Sequence, residues 1–99
     1  MRLTDEQRAI IKTLTEQIVG PNARVVLFGS RVDDAKRGGD IDLLVEVPRR
    51  VDSRVMSEAR LAARIERALG GRKVDLLLVD ADTTLQPVHH AARAHGVSI

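Results

Sequence analysis

Apolar residues recur at helical intervals in some stretches and in short unbroken runs in others, and the two patterns alternate along the chain. Ile10, Ile11, Leu14 and Ile18 form one helical stripe, introduced by the capping-box spacing of Thr4 and Gln7 and stopped by Gly20-Pro21. Arg24 to Phe28 is a β-branched run ending at Gly29, which reads as a buried strand feeding a loop. Polar residues continue to Gly38-Gly39, and Ile41 to Val47 is a second apolar strand closed by Pro48 and the basic pair Arg49-Arg50. Asp52 or Ser53 can cap a long helix that ends at Gly70-Gly71, with Val55, Ala59, Ala62, Ile65, Ala68 and Leu69 as the expected inward face. Lys73 to Val79 is a third strand, Pro87 to His95 a last helix stopped by Gly96, and Val97-Ser98-Ile99 a short terminal strand. The order predicts an α/β (α+β) layer structure, a small mixed β-sheet covered by helices.

Length narrows the picture to a single domain over residues 1–99, since two cores in 99 residues would each be near the lower limit for folding alone. The 43% of hydrophobic residues is almost wholly Ala, Val, Ile and Leu, with Phe28 the only aromatic side chain, so the expected core is aliphatic. No apolar run approaches the roughly 20 residues of a membrane span. The absence of cysteine excludes disulfide scaffolds, thiolate metal sites and cysteine nucleophiles. With an N-terminus that is polar and acidic by Asp5-Glu6 rather than signal-like, it points to a cytoplasmic protein. Sixteen Lys and Arg against fourteen Asp and Glu leave a net charge of +2, too even a balance to indicate direct nucleic-acid binding.

Candidate chemistry is concentrated in Phe28-Gly29-Ser30, nine intervening residues, and Asp40-Ile41-Asp42-Leu43-Leu44-Val45. Asp40 and Asp42 are two apart at the start of a strand, so the alternation of a strand places both on one face. Two crowded anions are costly unless they share a cation, and carboxylate oxygens suit Mg²⁺ or Mn²⁺. Asp75 lies in the next strand between Val74 and Leu76. Three carboxylates on neighbouring strands would make a platform for two metal ions. Gly29 permits close backbone approach and Ser30 offers a hydroxyl, which together provide for a phosphate. Arg31, Lys36 and Arg37 lie between the two motifs and can neutralise a triphosphate. An EF-hand is excluded because Leu43, Leu44 and Val45 follow Asp42, and a P-loop because the chain has no Gly-Lys-Ser or Gly-Lys-Thr.

The set Gly29, Ser30, Asp40, Asp42 and Asp75 resembles the DNA polymerase β-like nucleotidyltransferase superfamily. That signature is an apolar strand, Gly-Ser, a spacer, Asp-x-Asp and a later strand Asp. The likeness runs from the first strand to the last helix and is nearest to the minimal nucleotidyltransferases (MNT), many of them antitoxins of HEPN/MNT toxin–antitoxin pairs. The resemblance implies the nucleotidyltransferase fold, a metal site of Asp40, Asp42 and Asp75 holding two Mg²⁺ ions, and nucleotide contacts from Gly29, Ser30 and Arg31. It implies ATP as substrate, with AMP transferred to a protein hydroxyl, a tyrosine of a HEPN-family toxin. Asp75 would also help activate the attacking hydroxyl. Relatives often continue Gly-Ser-Arg with Ala-Arg-Gly and carry Ser before Asp-x-Asp; this chain has Val32-Asp33-Asp34 and Gly39. The acceptor-binding domain of larger relatives has no counterpart in this sequence, so the acceptor is expected from a partner or a second copy. The other readings are an antitoxin that neutralises its partner by binding alone, in a homo- or hetero-oligomer, and a stand-alone transferase acting on a small molecule or an RNA end.

Other polar groupings have plainer readings. Arg60, Arg64 and Arg67 share a helical face but are interleaved with Glu58 and Glu66, as on a solvated surface. His89, His90 and His95 have spacings that scatter them around a helix, which favours ordinary surface or partly buried histidines over a metal cluster. Phe28 closes an apolar strand and is expected to be core.

Overall fold

A parallel strand pair with a helical crossover sets the architecture. The structure, a computed structural model, describes residues 3–29 and 41–99. Ser30, Arg31 and Asp40, together with Val32, Asp33, Asp34, Lys36, Arg37, Gly38 and Gly39, lie outside the described residues. The elements are α1 (Asp5–Val19), β1 (Arg24–Phe28), β2 (Ile41–Glu46), α2 (Arg54–Ala68), β3 (Val74–Val79), α3 (Pro87–His95) and β4 (Val97–Ser98). They form one four-stranded sheet in the order β3-β2-β1-β4. β1 is antiparallel to both β2 and β4, whereas β2 and β3 run parallel and are joined by α2. The sheet is mixed and the fold small α+β, as the alternation of patterns predicts. Val47, Lys73 and Ile99 fall just outside the strands expected to contain them.

Helix boundaries follow local chemistry. Thr4 and Gln7 form the expected capping box: Gln7 N–H donates to Thr4 Oγ1 (3.0 Å) and Thr4 N–H to Gln7 Oε1 (2.9 Å). Ser53 occupies the N-cap position of α2 in a left-handed conformation, but neither it nor Asp52 supplies the expected side-chain cap. The other end is a Schellman closure, in which Gly71 N–H donates to Glu66 O and Gly70 N–H to Arg67 O, with both glycines at positive φ. At the end of α1, Arg49 donates to the carbonyls of Val19 (2.7 Å) and Pro21 (2.9 Å). Its guanidinium lies where a Cβ on Gly20 would be.

Alternation gives the sheet two unlike faces. One face presents Val25, Leu27, Ile41, Leu43, Val45, Val74, Leu76 and Leu78 to Ile11 of α1 and to Leu61 and Ile65 of α2. Each fully buried aliphatic side chain there contributes about 1.5–3 kcal/mol. Thr15, also buried, satisfies its hydroxyl by donating to Ile11 O (2.7 Å) within the helix. The inward face of α2 differs from expectation: Leu61 and Ile65 carry the contact, Ala62 and Leu69 flank it, and Val55, Ala59 and Ala68 are exposed. The reason is the edge position of β3. Glu58 and Glu66 lie on the same side of α2 as Leu61 and Ile65. Their carboxylates accept from Leu78 N–H (2.8 Å) and Val74 N–H (3.0 Å), while Arg54 donates to Leu78 O (3.0 Å). The helix turns a partly polar side to the strand edge, which rotates Val55 and Ala59 outward.

On the second face Val26, Leu44 and Val79 pack under Ala92 of α3, with Phe28, Leu77 and Leu85 partly buried around them. Arg93 holds α3 in place through two hydrogen bonds to Glu46 (2.9 and 3.0 Å). α3 therefore covers the part of this face nearest Glu46.

Asp80, just after β3, ties the following turn together. Its carboxylate accepts from Val51 N–H, Asp82 N–H and the Thr83 hydroxyl, each within 3.0 Å. These bonds, the one from Val51 foremost, hold its pKa below the ordinary 3.8. A depressed pKa in the folded state stabilises it above the unfolded value and is lost as pH falls through the folded value. Urea unfolding of Asp80→Asn should therefore give a midpoint below wild type at pH 7, with the gap narrowing as pH falls below 3.8.

Candidate active site

The carboxylate site grows from the strand register. Asp42 of β2 pairs directly with Asp75 of β3 in the parallel ladder, and with Phe28 of β1 across the antiparallel one. Directly paired residues project to the same side, so both acids stand on the second face, away from α1 and α2. Adjacent strands are about 4.8 Å apart, which brings the two carboxylates within reach of one cation. Asp42 is half-buried and Asp75 exposed, so the pair is open to solvent and to ligand. Lys73 approaches Asp75 Oδ1 to 4.0 Å and offsets part of the repulsion between the acids.

Gly29 follows β1 at a φ of +72°, a conformation that favours glycine. Its missing side chain matters as much as its dihedral. A Cβ built there would land on Asp42 Oδ2, so the carboxylate occupies the space that the glycine leaves. The Gly-Ser motif and the Asp-x-Asp motif are thus in contact through Gly29 and Asp42. Of the residues assigned from sequence, the structure brings Gly29, Asp42 and Asp75 together; Ser30, Arg31 and Asp40 lie outside the described residues. Phe28 is half-buried beside the pair rather than fully core.

The donor set fits a hard divalent cation. Two neighbouring carboxylates on an open face supply the oxygen ligands that Mg²⁺ or Mn²⁺ prefers. Among the described residues no group of three or more His, Cys, Asp or Glu could hold a metal, so Asp42 and Asp75 are the described part of the platform. His89, His90 and His95 do not cluster: His89 is buried, and the other two are exposed. Arg60, Arg64 and Arg67 are exposed, as a solvated helix face requires.

A second feature had no clear signal in the sequence. A cleft of about 770 Å³ runs beside the C-terminal half of β3, between the first turns of α2 and α3, and neither Asp42 nor Asp75 lines it. Leu77 and Thr84 contribute to its wall, and so does His89. His89 Nδ1 accepts from Gln86 N–H (2.9 Å), which fixes the proton of the neutral ring on Nε2. The spacing of Gln86 and His89 around Pro87 was the available hint, because a residue three positions into a helix can bond back to its cap.

Gly29→Ala tests the contact between the motifs. Alanine at this positive φ costs roughly 1–2 kcal/mol, and its methyl displaces the Asp42 carboxylate. Mn²⁺ affinity, read by electron paramagnetic resonance of the free ion, should fall about tenfold or more while the circular dichroism spectrum is retained.

No helix among the described residues is long and apolar enough to cross a membrane. No curated protein matches the chain. The family model for the nucleotidyltransferase domain matches residues 7–93, which run from the first turn of α1 through most of α3 and contain every residue of the candidate site. The resemblance in the motif, the α+β topology and the pairing of Asp42 with Asp75 lead to the same place: the chain belongs to the nucleotidyltransferase domain family.

Proposed function

We propose that this nucleotidyltransferase moves AMP from ATP onto a protein hydroxyl, a tyrosine of a HEPN-family toxin, and so acts as a cytoplasmic antitoxin. The observation that carries the chemistry is the direct pairing of Asp42 with Asp75 on an open sheet face, with Gly29 against the first of them. The choice of acceptor rests on the likeness to the minimal nucleotidyltransferases.

Asp40, Asp42 and Asp75 would hold two Mg²⁺ ions, which when bound offset negative charge on the entering and departing oxygens. The residues of the chain supply the rest. Gly29, Ser30 and Arg31 bind and orient the triphosphate. Asp75, on an edge strand of the described sheet, takes the proton of the acceptor hydroxyl. The acceptor oxygen forms a bond to the α-phosphorus, the bond from that phosphorus to the bridging oxygen breaks, and pyrophosphate leaves. Catalysis on this plan is mostly positioning and electrostatics.

Incubation with a cognate HEPN protein, Mg²⁺ and ATP labelled at the α-phosphate should place label on the HEPN tyrosine. Asp42→Ala should reduce labelling by at least the roughly 100-fold that changes in the surroundings of a metal site reach, with complex formation retained. An unlabelled toxin that is still neutralised by wild type and variant alike would replace transfer with neutralisation by binding.

A further inference from the structure

We propose that the cleft beside β3 is the acceptor site: it holds a polypeptide segment whose hydroxyl side chain reaches Asp75 and whose backbone oxygen accepts from His89 Nε2. This rests on the nucleotidyl-transfer reading and adds to it the surface that receives the acceptor.

Position is the first argument. Among the described residues β3 is an edge strand with no strand beyond Asp75, so an acceptor can approach it from the side. Leu77, which lines the cleft, is two residues further along β3 on the same face as Asp75, roughly 6.5 Å away. The cleft thus begins within one long side chain of the carboxylate. Its volume, about 770 Å³, is in the range of sites that enclose a ligand of several residues.

His89 is the second argument. The side chain is 8% exposed and lines the cleft, yet its Nε2–H meets no partner among the described residues, because Gln86 engages only Nδ1. A buried donor that faces an open cleft is placed to bond a ligand oxygen that enters it.

Charge and edge chemistry select the kind of acceptor. The lining carries two arginines against three carboxylates. Arg50 pairs with Asp82 (3.6 Å), Arg54 with Glu58 (3.5 Å), and Asp80 is occupied by the turn it organises. No positive surplus is left for a phosphate backbone, which disfavours an RNA end. Strand addition is disfavoured at two of the outward-facing residues, since Glu58 and Glu66 already take the N–H groups of Leu78 and Val74, and Arg54 takes Leu78 O. A polypeptide that reaches Asp75 therefore does so by way of the cleft, whose side chains, His89 among them, it meets. In the transfer its hydroxyl oxygen bonds to the α-phosphorus of the nucleoside triphosphate, its proton passes to Asp75, and pyrophosphate departs.

The test uses N-acetyl-L-tyrosinamide as probe, without nucleotide, followed by ¹H–¹⁵N correlation spectra of the whole chain. Saturable shifts at millimolar probe should map to the amides of Leu77, Thr84 and His89. Thr84→Trp, at an exposed loop position, should fill the cleft and abolish them. His89→Phe, which keeps an aromatic ring but removes both Nε2–H and the Nδ1 that accepts from Gln86, should weaken binding about tenfold while the circular dichroism spectrum is retained. Calorimetry should show the same Mg²⁺·ATP binding in Thr84→Trp as in wild type. Shifts confined to other surfaces, shifts that persist in Thr84→Trp, or occupation of the cleft by a 5′-phosphorylated triribonucleotide in place of the probe would overturn the assignment. Failure of the transfer reading is seen separately, as wild-type protein that takes up no Mg²⁺·ATP while the probe footprint stands.

Discussion

The parallel pairing of β2 with β3 is the constraint on which the molecule depends. Parallel neighbours cannot be joined by a tight turn, so the chain must cross over, and α2 is that crossover. The same register sets Asp42 beside Asp75, since a slip of one residue would send one of the two acids into the apolar layer beneath α1 and α2. Burial of Leu43 and Leu76 on the opposite face therefore fixes the relative position of the carboxylates. Core packing and site geometry have one origin.

The crossover helix also completes β3. An edge strand exposes backbone groups that would otherwise pair with a foreign strand, and α2 meets that need with Glu58, Glu66 and Arg54. This explains why its hydrophobic side is narrow and why Val55 and Met56 are left 64% and 72% exposed. On the far face α3 is pinned by Arg93 to Glu46, at the end of β2 away from Asp42. Among the described residues coverage ends there, with Asp42 half-buried and Asp75 exposed.

Much of this was legible in the sequence because periodicity is a local property. The stripe from Ile10 to Ile18, the runs at Arg24–Phe28 and Ile41–Val47, and the stops at Gly20 and Gly70-Gly71 each encode an element to within a few residues. Gly29, Asp42 and Asp75 were recognisable by type and spacing, although their contact depends on which strands pair, and spacing alone does not give that. The inward side of α2 was misread because Glu58 and Glu66 count as polar in a helical pattern and as hydrogen-bond partners beside a strand edge. His89 was read only as an ordinary surface or partly buried histidine for a similar reason: it shares its cleft with Leu77 of β3 and with the turn around Asp80, nine or more residues back along the chain, and helical periodicity carries no signal of that meeting.

The pairing of Phe28 with Asp42 has an optical consequence. The chain contains no tryptophan and no tyrosine, and Phe28 is its only carbocyclic aromatic ring. It stands across the ladder from a carboxylate of the site. The protein is therefore almost dark above 280 nm, and any tryptophan or tyrosine emission from a complex belongs wholly to the partner. The ring protons of Phe28 form one isolated spin system at the edge of the active site, so a single set of resonances reports on its occupancy without labelling.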